Sequence, residues 1–227
     1  MLTGAGMSAE SGLQTFRGTG GLWEGYRVED VATPQAWQRQ PEVVQRFYNE
    51  RRRQLLNVSP NTAHYALADL ESQHHVTIIT QNVDDLHERA GSKNVMHLHG
   101  ELLKVRSTRD ESLIYPWEKD LTMDDRCALG AVLRPHIVWF GEYVPMLEPA
   151  IREMQDAEVV LVIGSSMQVY PAASLVAFAP SEADIYYIDP QPSLNHELRA
   201  RPHLHVIDMR ATKGVPLVLE KLTPDKE

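Results

Sequence analysis

The chain has 227 residues and a formal net charge of -9, with 43% hydrophobic and 23% charged residues. This length suits one large domain, and the composition is that of a globular protein rather than a disordered one. No apolar run approaches the roughly 18 residues of a membrane span, and the negative net charge argues against nucleic acid as a binding partner. The single cysteine, Cys127, excludes an intrachain disulfide and is typical of a reducing cytoplasm.

The first quarter of the chain predicts a glycine turn, a long loop and four helix starts. The strand before Gly4 is reduced to Met1–Thr3, so either it is short or it begins upstream of the sequence. A helix start follows at 8–12, and 14–26 predicts a loop whose length, without secondary structure of its own, is typical of functional loops. Three further helix starts each carry a proline in the first turn: Thr33-Pro34, Pro41 (running to about Asn57) and Ser59-Pro60.

The rest of the chain alternates strands with helices, which predicts an α/β fold with a parallel sheet covered on both faces. Predicted strands are Val76–Thr80, Val95–Leu98, Leu102–Val105, Ile137–Phe140, Val159–Ile163, Ile185–Ile188 and Leu204–Ile207. Predicted helices are Met146–Asp156, Pro171–Ala179, Leu194–Arg199 and Val215–Leu222. Residues 106–130 follow no clear period, so we expect a small inserted module there.

The glycine turn Gly4-Ala5-Gly6-Met7-Ser8-Ala9 has the G-x-G-x-x-A form of a dinucleotide fingerprint. Such a turn lets a pyrophosphate approach the backbone at a helix N-terminus. The alternative is a tight turn with no ligand. A hydride-transfer enzyme is disfavoured, because the acidic residue expected about 20 residues on has no strand to carry it.

Polar residues follow three predicted strands, at the edge of the sheet where parallel α/β proteins bind ligands. They are Gln81-Asn82-Val83-Asp84, Gly164-Ser165-Ser166 and Asp189-Pro190-Gln191. Each group alone could be ordinary loop or capping chemistry. Together with the glycine turn they predict one polar ligand of nucleotide length, with Asp189 near ribose hydroxyls.

His97 and His99 end a short strand, and strand alternation predicts that they share a face. A neutral imidazole at this position suits a general base near neutral pH, although a strand-end histidine is more often structural.

In the helix that starts at Pro41, five residues fall on one face: Val44, Phe47, Tyr48, Arg51 and Leu55. Tyr48 and Arg51 are therefore neighbours on an otherwise apolar surface. Either Arg51 extends its charge to water while Tyr48 packs, or the two side chains form a fork for a carboxylate.

Four motifs in order resemble the sirtuins, over essentially the whole chain. They are G-A-G-M-S-A-E-S-G-L-x-x-F-R from Gly4 to Arg17, T-Q-N-V-D-x-L-H-x-x-A-G from Thr80 to Gly91, H-G at His99, and R-P-H-I-V-W-F-G-E from Arg134 to Glu142. The resemblance implies a single catalytic domain, 1–227, with a Rossmann-like sheet and a small module formed by about 14–58 and 101–135.

The implied activity is NAD-dependent deacylation of acylated lysines on cellular proteins by a monomeric enzyme, giving nicotinamide, O-acyl-ADP-ribose and free lysine. His99, Asn82 and Asp84 would be catalytic. NAD would be bound by Gly4, Ala5, Gly6, Ser8, Phe16, Arg17, Trp23, Gln81, Asn82, Asp84, Gly164, Ser165, Ser166, Asp189, Gln191 and Ala211. Two alternatives use the same cofactor: an ADP-ribosyltransferase and a non-catalytic sensor of NAD or ADP-ribose.

Substrate residues also follow from the resemblance. Tyr48 and Arg51 match the Tyr-x-x-Arg pair of the class that removes succinyl and malonyl groups. Val138-Trp139-Phe140-Gly141 resembles the segment that pairs with the substrate backbone as an added strand.

The zinc module departs from the family, which commonly has four cysteines between the catalytic histidine and the R-P strand. Here this interval holds only Cys127, and Ser107 stands where a first cysteine would be expected. A structural zinc site needs four ligands, mostly Cys and His, so the sequence predicts that zinc is lost. The module would then depend on packing of Leu113, Tyr115, Trp117 and Leu121.

Overall fold

The computed structural model of the protein describes residues 1–15, 22–23 (backbone only) and 25–222. The strands are β1 (Leu2–Thr3), β2 (Leu22–Trp23), β3 (Tyr26–Arg27), β4 (Ile78–Thr80), β5 (Val95–His97), β6 (Gly100–Ser107), β7 (Ile114–Pro116), β8 (Leu133–Ile137), β9 (Val159–Ile163), β10 (Asp184–Ile188) and β11 (Leu204–Ile207). Within these residues, six strands form a parallel sheet in the order β11-β10-β9-β1-β4-β5. The predicted α/β fold is confirmed.

The α-helices are α1 (Ala5–Ser8), α2 (Val28–Val31), α3 (Pro34–Arg39), α4 (Pro41–Leu56), α5 (Thr62–Leu70), α6 (Leu86–Ala90), α7 (Leu147–Gln155), α8 (His196–Arg199) and α9 (Ala211–Leu222). Short 3₁₀ helices cover Ala9–Ser11 and Ala172–Phe178. Among the described helices, none is long and apolar enough to cross a bilayer.

Helices cover both faces of the parallel sheet, as the alternating sequence predicts. On one face, Leu67 of α5 and Val215 of α9 are fully buried in one hydrophobic cluster. On the other face, Met154 of α7, Leu175 of the second 3₁₀ helix and Leu198 of α8 are buried in another. The sheet is therefore the central layer of three, with the helices covering its two faces.

The strand order reverses at β1, which lies between β9 and β4. The turns after β1 and β9 touch there: the Gly6 N–H donates to the Gly164 carbonyl over 2.8 Å. A Cβ at Gly6 would lie 2.7 Å from the Gly164 Cα, and Gly164 itself has a φ of +60°. The glycines of the fingerprint are thus required for the packing of two turns, at the reversal point where α/β sheets bind ligands.

A second, antiparallel sheet has the order β7-β6-β8. It packs on a hydrophobic cluster that includes Leu121 and Cys127, with Leu113, Tyr115 and Trp117 against it. The packing predicted for the inserted segment is therefore confirmed.

Some predicted boundaries are wrong. Helix α5 begins at Thr62 and not directly after Ser59, as predicted, because Asn61 is its cap. The Asn61 Oδ1 accepts from the Ala63 N–H over 3.0 Å. The first helix begins at Ala5 rather than at Ser8, since Gly4 is already its N-cap. The cap prediction at Thr33 is confirmed by a bond from the Ala36 N–H.

The strand predicted at 137–140 is also displaced, since β8 ends at Ile137. Beyond it, the Val138 N–H donates to the His99 carbonyl and the Phe140 N–H to the Ala32 carbonyl, so the chain leaves the sheet. The helix predicted at 171–179 is 3₁₀, and α9 begins at Ala211, four residues early. The part of the predicted loop 14–26 that is described includes the strand pair β2-β3.

Candidate active site

A cavity of about 570 Å³ opens at the carboxyl ends of the parallel strands and reaches α4 and the segment after β8. This volume is typical of sites for small molecules and cofactors. Its lining brings together most of the residues singled out in the sequence: Gly4, Ala5, Gly6, Ser8, Tyr48, Arg51, Gln81, Asn82, Asp84, His99, Val138, Trp139, Phe140, Gly141, Gly164, Ser165, Ser166, Asp189 and Gln191.

Four of the site residues predicted from the sequence are absent from the cavity lining that the structure describes. Ala211 is buried away from the cavity wall, and its neighbour Arg210 lines the cavity instead. Phe16 and Arg17 lie outside the described residues, as does the side chain of Trp23.

Sequence reasoning gave no role to three charged residues of the lining, Glu10, Glu142 and Arg210. Glu142 ends the R-P-H-I-V-W-F-G-E motif, so a signal for it was available. Arg210 precedes α9 without any pattern that distinguishes it from a surface arginine.

Asn82, Ser8 and Asp84 form a buried hydrogen-bonded chain below the glycine turn. The Asn82 Nδ2 donates to the Gly4 carbonyl (3.0 Å) and to the Ser8 Oγ (3.2 Å). The Ser8 Oγ donates in turn to the Asp84 Oδ2 over 2.9 Å, and the Asp84 Oδ1 accepts from the Leu86 N–H. Both amide hydrogens of Asn82 are used in this chain. Its side-chain oxygen is then the atom of the side chain that can accept a further hydrogen bond.

Burial raises the pKa of Asp84 to about 6, although the bonds from Ser8 and Leu86 act in the opposite direction. An ionised carboxylate is costly in such a setting unless hydrogen bonds compensate it. Burial therefore shifts the ionisation of Asp84 toward neutral pH.

Two further bonds brace the turns around the cavity. The Gln81 Nε2 donates to the Ser165 Oγ over 2.9 Å, which joins the ends of β4 and β9. The Asp189 Oδ1 accepts from the Gln191 N–H over 2.8 Å after β10. The polar groups predicted to share one edge do so, and they also hold each other in position.

The two histidines of the H-L-H sequence have different partners and protonation states. The His99 Nδ1 donates to the Gln81 carbonyl over 2.9 Å, so the proton sits on Nδ1 and Nε2 keeps a lone pair. Burial lowers the pKa of His99, which keeps the ring neutral.

His97 contacts acceptors through both nitrogens: the Asn82 carbonyl (3.2 Å) and the Glu88 Oε1 (2.6 Å). Burial alone would lower the pKa of His97, but the Glu88 contact raises it overall. Because both ring nitrogens contact acceptors, these contacts stabilise the charged, doubly protonated form of His97. It does not line the cavity, so the predicted shared face does not give the two histidines a shared role.

Tyr48 and Arg51 meet the cavity from α4, where the predicted face is entirely buried. Arg51 is only 8% exposed, and its guanidinium carbon lies 4.7 Å from the centre of the Phe47 ring. The interpretation in which Arg51 extends to water is therefore wrong. Burial raises the pKa of the Tyr48 phenol well above its ordinary value, so the phenol remains protonated.

At the expected zinc position, Ser107 and Cys127 are in contact: a hydrogen bond with Ser107 lowers the pKa of the Cys127 thiol. In the part of the chain that the structure describes, no three His, Cys, Asp or Glu side chains converge as metal ligands. The loss of zinc stays a prediction.

The sheet and its cavity define a doubly wound α/β protein whose cavity opens at the strand-order reversal, where such folds bind ligands. Residues 4–171 match the family model described as "Sir2 family", so the chain belongs to the Sir2 family, the sirtuins.

Related proteins are named NAD-dependent protein deacylases. One, from Helicobacter pylori, is 58% identical over 191 residues, which cover 84% of this chain and 82% of the relative. Another, from Bacteroides thetaiotaomicron, is 50% identical over 230 residues, covering 99% and 97%.

Solved structures agree with this assignment. A Sir2 homologue in complex with ADP-ribose matches with a TM-score of 0.87 at 40% identity, covering 100% of this chain and 93% of that one. A Sir2 homologue–NAD complex matches with a TM-score of 0.85 at 42% identity, covering 98% and 89%. A Sir2 complex with a deacetylated p53 peptide and 3'-O-acetyl ADP-ribose matches with a TM-score of 0.82 at 32% identity, covering 97% and 91%.

Proposed function

We propose that the protein is an NAD-dependent lysine deacylase of the cytoplasm that removes acetyl groups and also acyl groups ending in a carboxylate, such as succinyl and malonyl. The products are nicotinamide, free lysine and O-acyl-ADP-ribose. The observation that carries the proposal is the buried Arg51 beside Tyr48, in the wall of the same cavity that His99 and the glycine turns line.

The residues present fit NAD. Where Gly6 and Gly164 meet, the cavity lining has backbone atoms and no side chains, so a pyrophosphate can approach the backbone closely. The cavity volume suits a dinucleotide together with part of a substrate. Gln81, Asn82 and Asp189 supply the amide and carboxylate groups that hold ribose hydroxyls and a carboxamide. When bound, NAD supplies the ribose carbon that accepts the acyl oxygen, which explains why the site needs no nucleophilic side chain.

His99 is the general base in this proposal. Its Nδ1–H is fixed on the Gln81 carbonyl, so the lone pair is on Nε2, the proton acceptor of a residue that lines the cavity. Asn82 and Asp84 act as a unit through Ser8, which engages the Asn82 amide nitrogen and leaves its side-chain oxygen as the acceptor for a ligand. His97 and Glu88 support the same turn through the Asn82 carbonyl.

Arg51 and Tyr48 select the acyl group. A carboxylate carried into an apolar cavity is stable only when it is paired and hydrogen-bonded. The Arg51 guanidinium can pair with it, and the protonated Tyr48 hydroxyl can donate a second bond. An acetyl group has no such end and needs only the apolar part of the wall.

The substrate peptide would lie along Val138–Gly141. The N–H groups of Val138, Trp139 and Phe140 are already bonded within the protein, so a substrate strand would pair with the carbonyl oxygens of this segment. The small module would comprise about 14–58 and 101–135, hold no zinc, and belong to a monomer that binds neither nucleic acid nor membrane.

The test is turnover of matched acetyl-lysine and succinyl-lysine peptides with and without NAD, with products identified by mass spectrometry. Free acyl-ADP-ribose from both peptides supports the proposal. ADP-ribose attached to protein would identify a transferase instead, and binding of NAD without turnover would identify a sensor. Turnover of the acetyl peptide alone would refute the acyl class.

A further inference from the structure

The phenol of Tyr48 is held by a residue far away in the sequence. The Trp139 Nε1–H donates to the Tyr48 Oη over 3.0 Å, and the two residues are 91 positions apart. Tyr48 is 0% and Trp139 2% exposed, so water does not compete for this bond. The two rings are tilted by 34° with their centres 6.5 Å apart.

This bond has a direction. An indole nitrogen can only donate, so the phenol oxygen must accept at that position. The single phenol hydrogen is then excluded from the side occupied by Trp139 and points elsewhere. Tyr48 lines the cavity although its side chain is closed to water, so an acyl carboxylate that packs against the phenol would meet this hydrogen as a donor.

The indole ring is itself firmly held. The Arg134 guanidinium stacks 3.3 Å from its centre, and the ring of Trp37 lies 5.7 Å away. Both Arg134 terminal nitrogens donate to the Glu142 carboxylate, at 2.6 and 3.0 Å, and the Trp139 N–H donates to the same carboxylate at 2.8 Å. Ring and backbone of Trp139 are thus fixed by one ion pair.

The Arg134–Glu142 ion pair also determines the net charge of the cavity wall beside Trp139. Glu142 lines the cavity and alone would repel an acyl carboxylate. Arg134 pairs with it closely, and the Arg106 Nη2 lies 3.4 Å from its Oε2. Arg106 also lies 3.5 Å from the exposed Glu111, so two cations balance two anions and this wall carries no net negative charge.

We propose that Trp139 is a positioning residue for acyl selection: its indole N–H orients the Tyr48 phenol so that the phenol hydrogen is presented to the acyl carboxylate. The inference rests on the proposed function and assigns a task to a residue of the segment otherwise expected to pair with substrate backbone. Loss of one neutral hydrogen bond corresponds to a change of about 2- to 12-fold in kcat/KM.

The test is a double-mutant cycle on Tyr48→Phe, Trp139→Phe and the double variant. The measured quantity is the ratio of kcat/KM for a succinyl-lysine peptide to that for the acetyl-lysine peptide of the same sequence, so general damage cancels. We expect each single variant to lower the ratio, by about 2- to 12-fold for Trp139→Phe, and the double variant to match Tyr48→Phe alone. The control is Trp37→Phe, which alters the same ring cluster without touching the bond and should leave the ratio unchanged.

Two results overturn the inference: an unchanged ratio in Trp139→Phe, or losses that add in the double variant, which would mean that Trp139 acts on the acyl group without Tyr48. Trp139→Leu also lacks the N–H and repeats the cycle if the Phe variant does not fold. A wild-type protein without desuccinylase activity refutes the proposed function itself. A wild type that desuccinylates through Arg51, with the ratio intact in Trp139→Phe, refutes only the role of Trp139.

Discussion

Arg51→Met is the substitution that tests acyl selection most directly. Methionine is unbranched, favours helices and fills a similar buried volume, so α4 should persist. The stack of the guanidinium on Phe47 is replaced by a thioether–aromatic contact of comparable size. The main change is the loss of a cation that is 8% exposed at the cavity wall.

The expected magnitude follows from that burial. A hydrogen bond to a charged group contributes about 1.5–3 kcal/mol, and the burial of Arg51 limits its screening by water. At about 1.4 kcal/mol per decade, kcat/KM for succinyl-lysine should fall roughly 10- to 150-fold. The acetyl peptide should lose less than about 3-fold, because an acetyl group has no carboxylate to pair.

The assay compares kcat/KM for the two peptides in wild type, Arg51→Met and a control, Arg53→Met. Arg53 is on the same helix but is exposed, bonded to Asp120 at 2.6 Å and absent from the cavity lining. The control should change neither rate by more than about 2-fold. If Arg51→Met lowers both rates in parallel, Arg51 only supports the helix and the reasoning on acyl class fails.

Three further predictions concern the base, the buried carboxyl and the metal. His99→Ala should lower turnover by roughly 10²- to 10⁴-fold with the melting temperature nearly unchanged, since a general base is lost; more than about a tenth of the wild-type rate would contradict this. The raised pKa of Asp84, about 6 instead of 3.8, means that the wild type loses about 3 kcal/mol of stability as pH rises through that range. Asp84→Asn avoids this loss, so denaturant titrations should show its stability relative to wild type increasing by about 1.4 kcal/mol from pH 5 to pH 7.5; a constant difference would mean that Asp84 is not destabilised by burial. Elemental analysis should find no stoichiometric zinc, and chelators should leave the melting temperature unchanged, because a single cysteine cannot build a closed tetrahedral site; one zinc per chain would refute this.

Several features of the fold followed from the sequence because local rules control them. Hydrophobic runs without polar alternation predicted the buried strands, and the 3.6-residue period predicted the buried face of α4 with Tyr48 and Arg51 on it. The parallel arrangement then required polar strand ends to gather at one edge. This is why residues as distant as Gly4 and Asp189 could be assigned to one cavity.

Other features depended on contacts between segments that no local pattern records. Ser59 and Asn61 are both good caps, and Asn61 is used because its Nδ2 also donates to the Met7 carbonyl, 54 residues away. Alternation treated His97 and His99 alike, yet only His99 reaches the cavity, since His97 is held by Glu88.

At the acyl end of the cavity, too, some features follow from the local sequence and others from tertiary contacts. The helical period alone placed Tyr48 beside Arg51, because residues three apart are neighbours on any α-helix. Only the tertiary structure brought Trp139 to the Tyr48 hydroxyl and Arg134 to the Trp139 ring. The direction of a phenol hydrogen depends on which donor packs against its oxygen, and that donor comes from a different part of the chain.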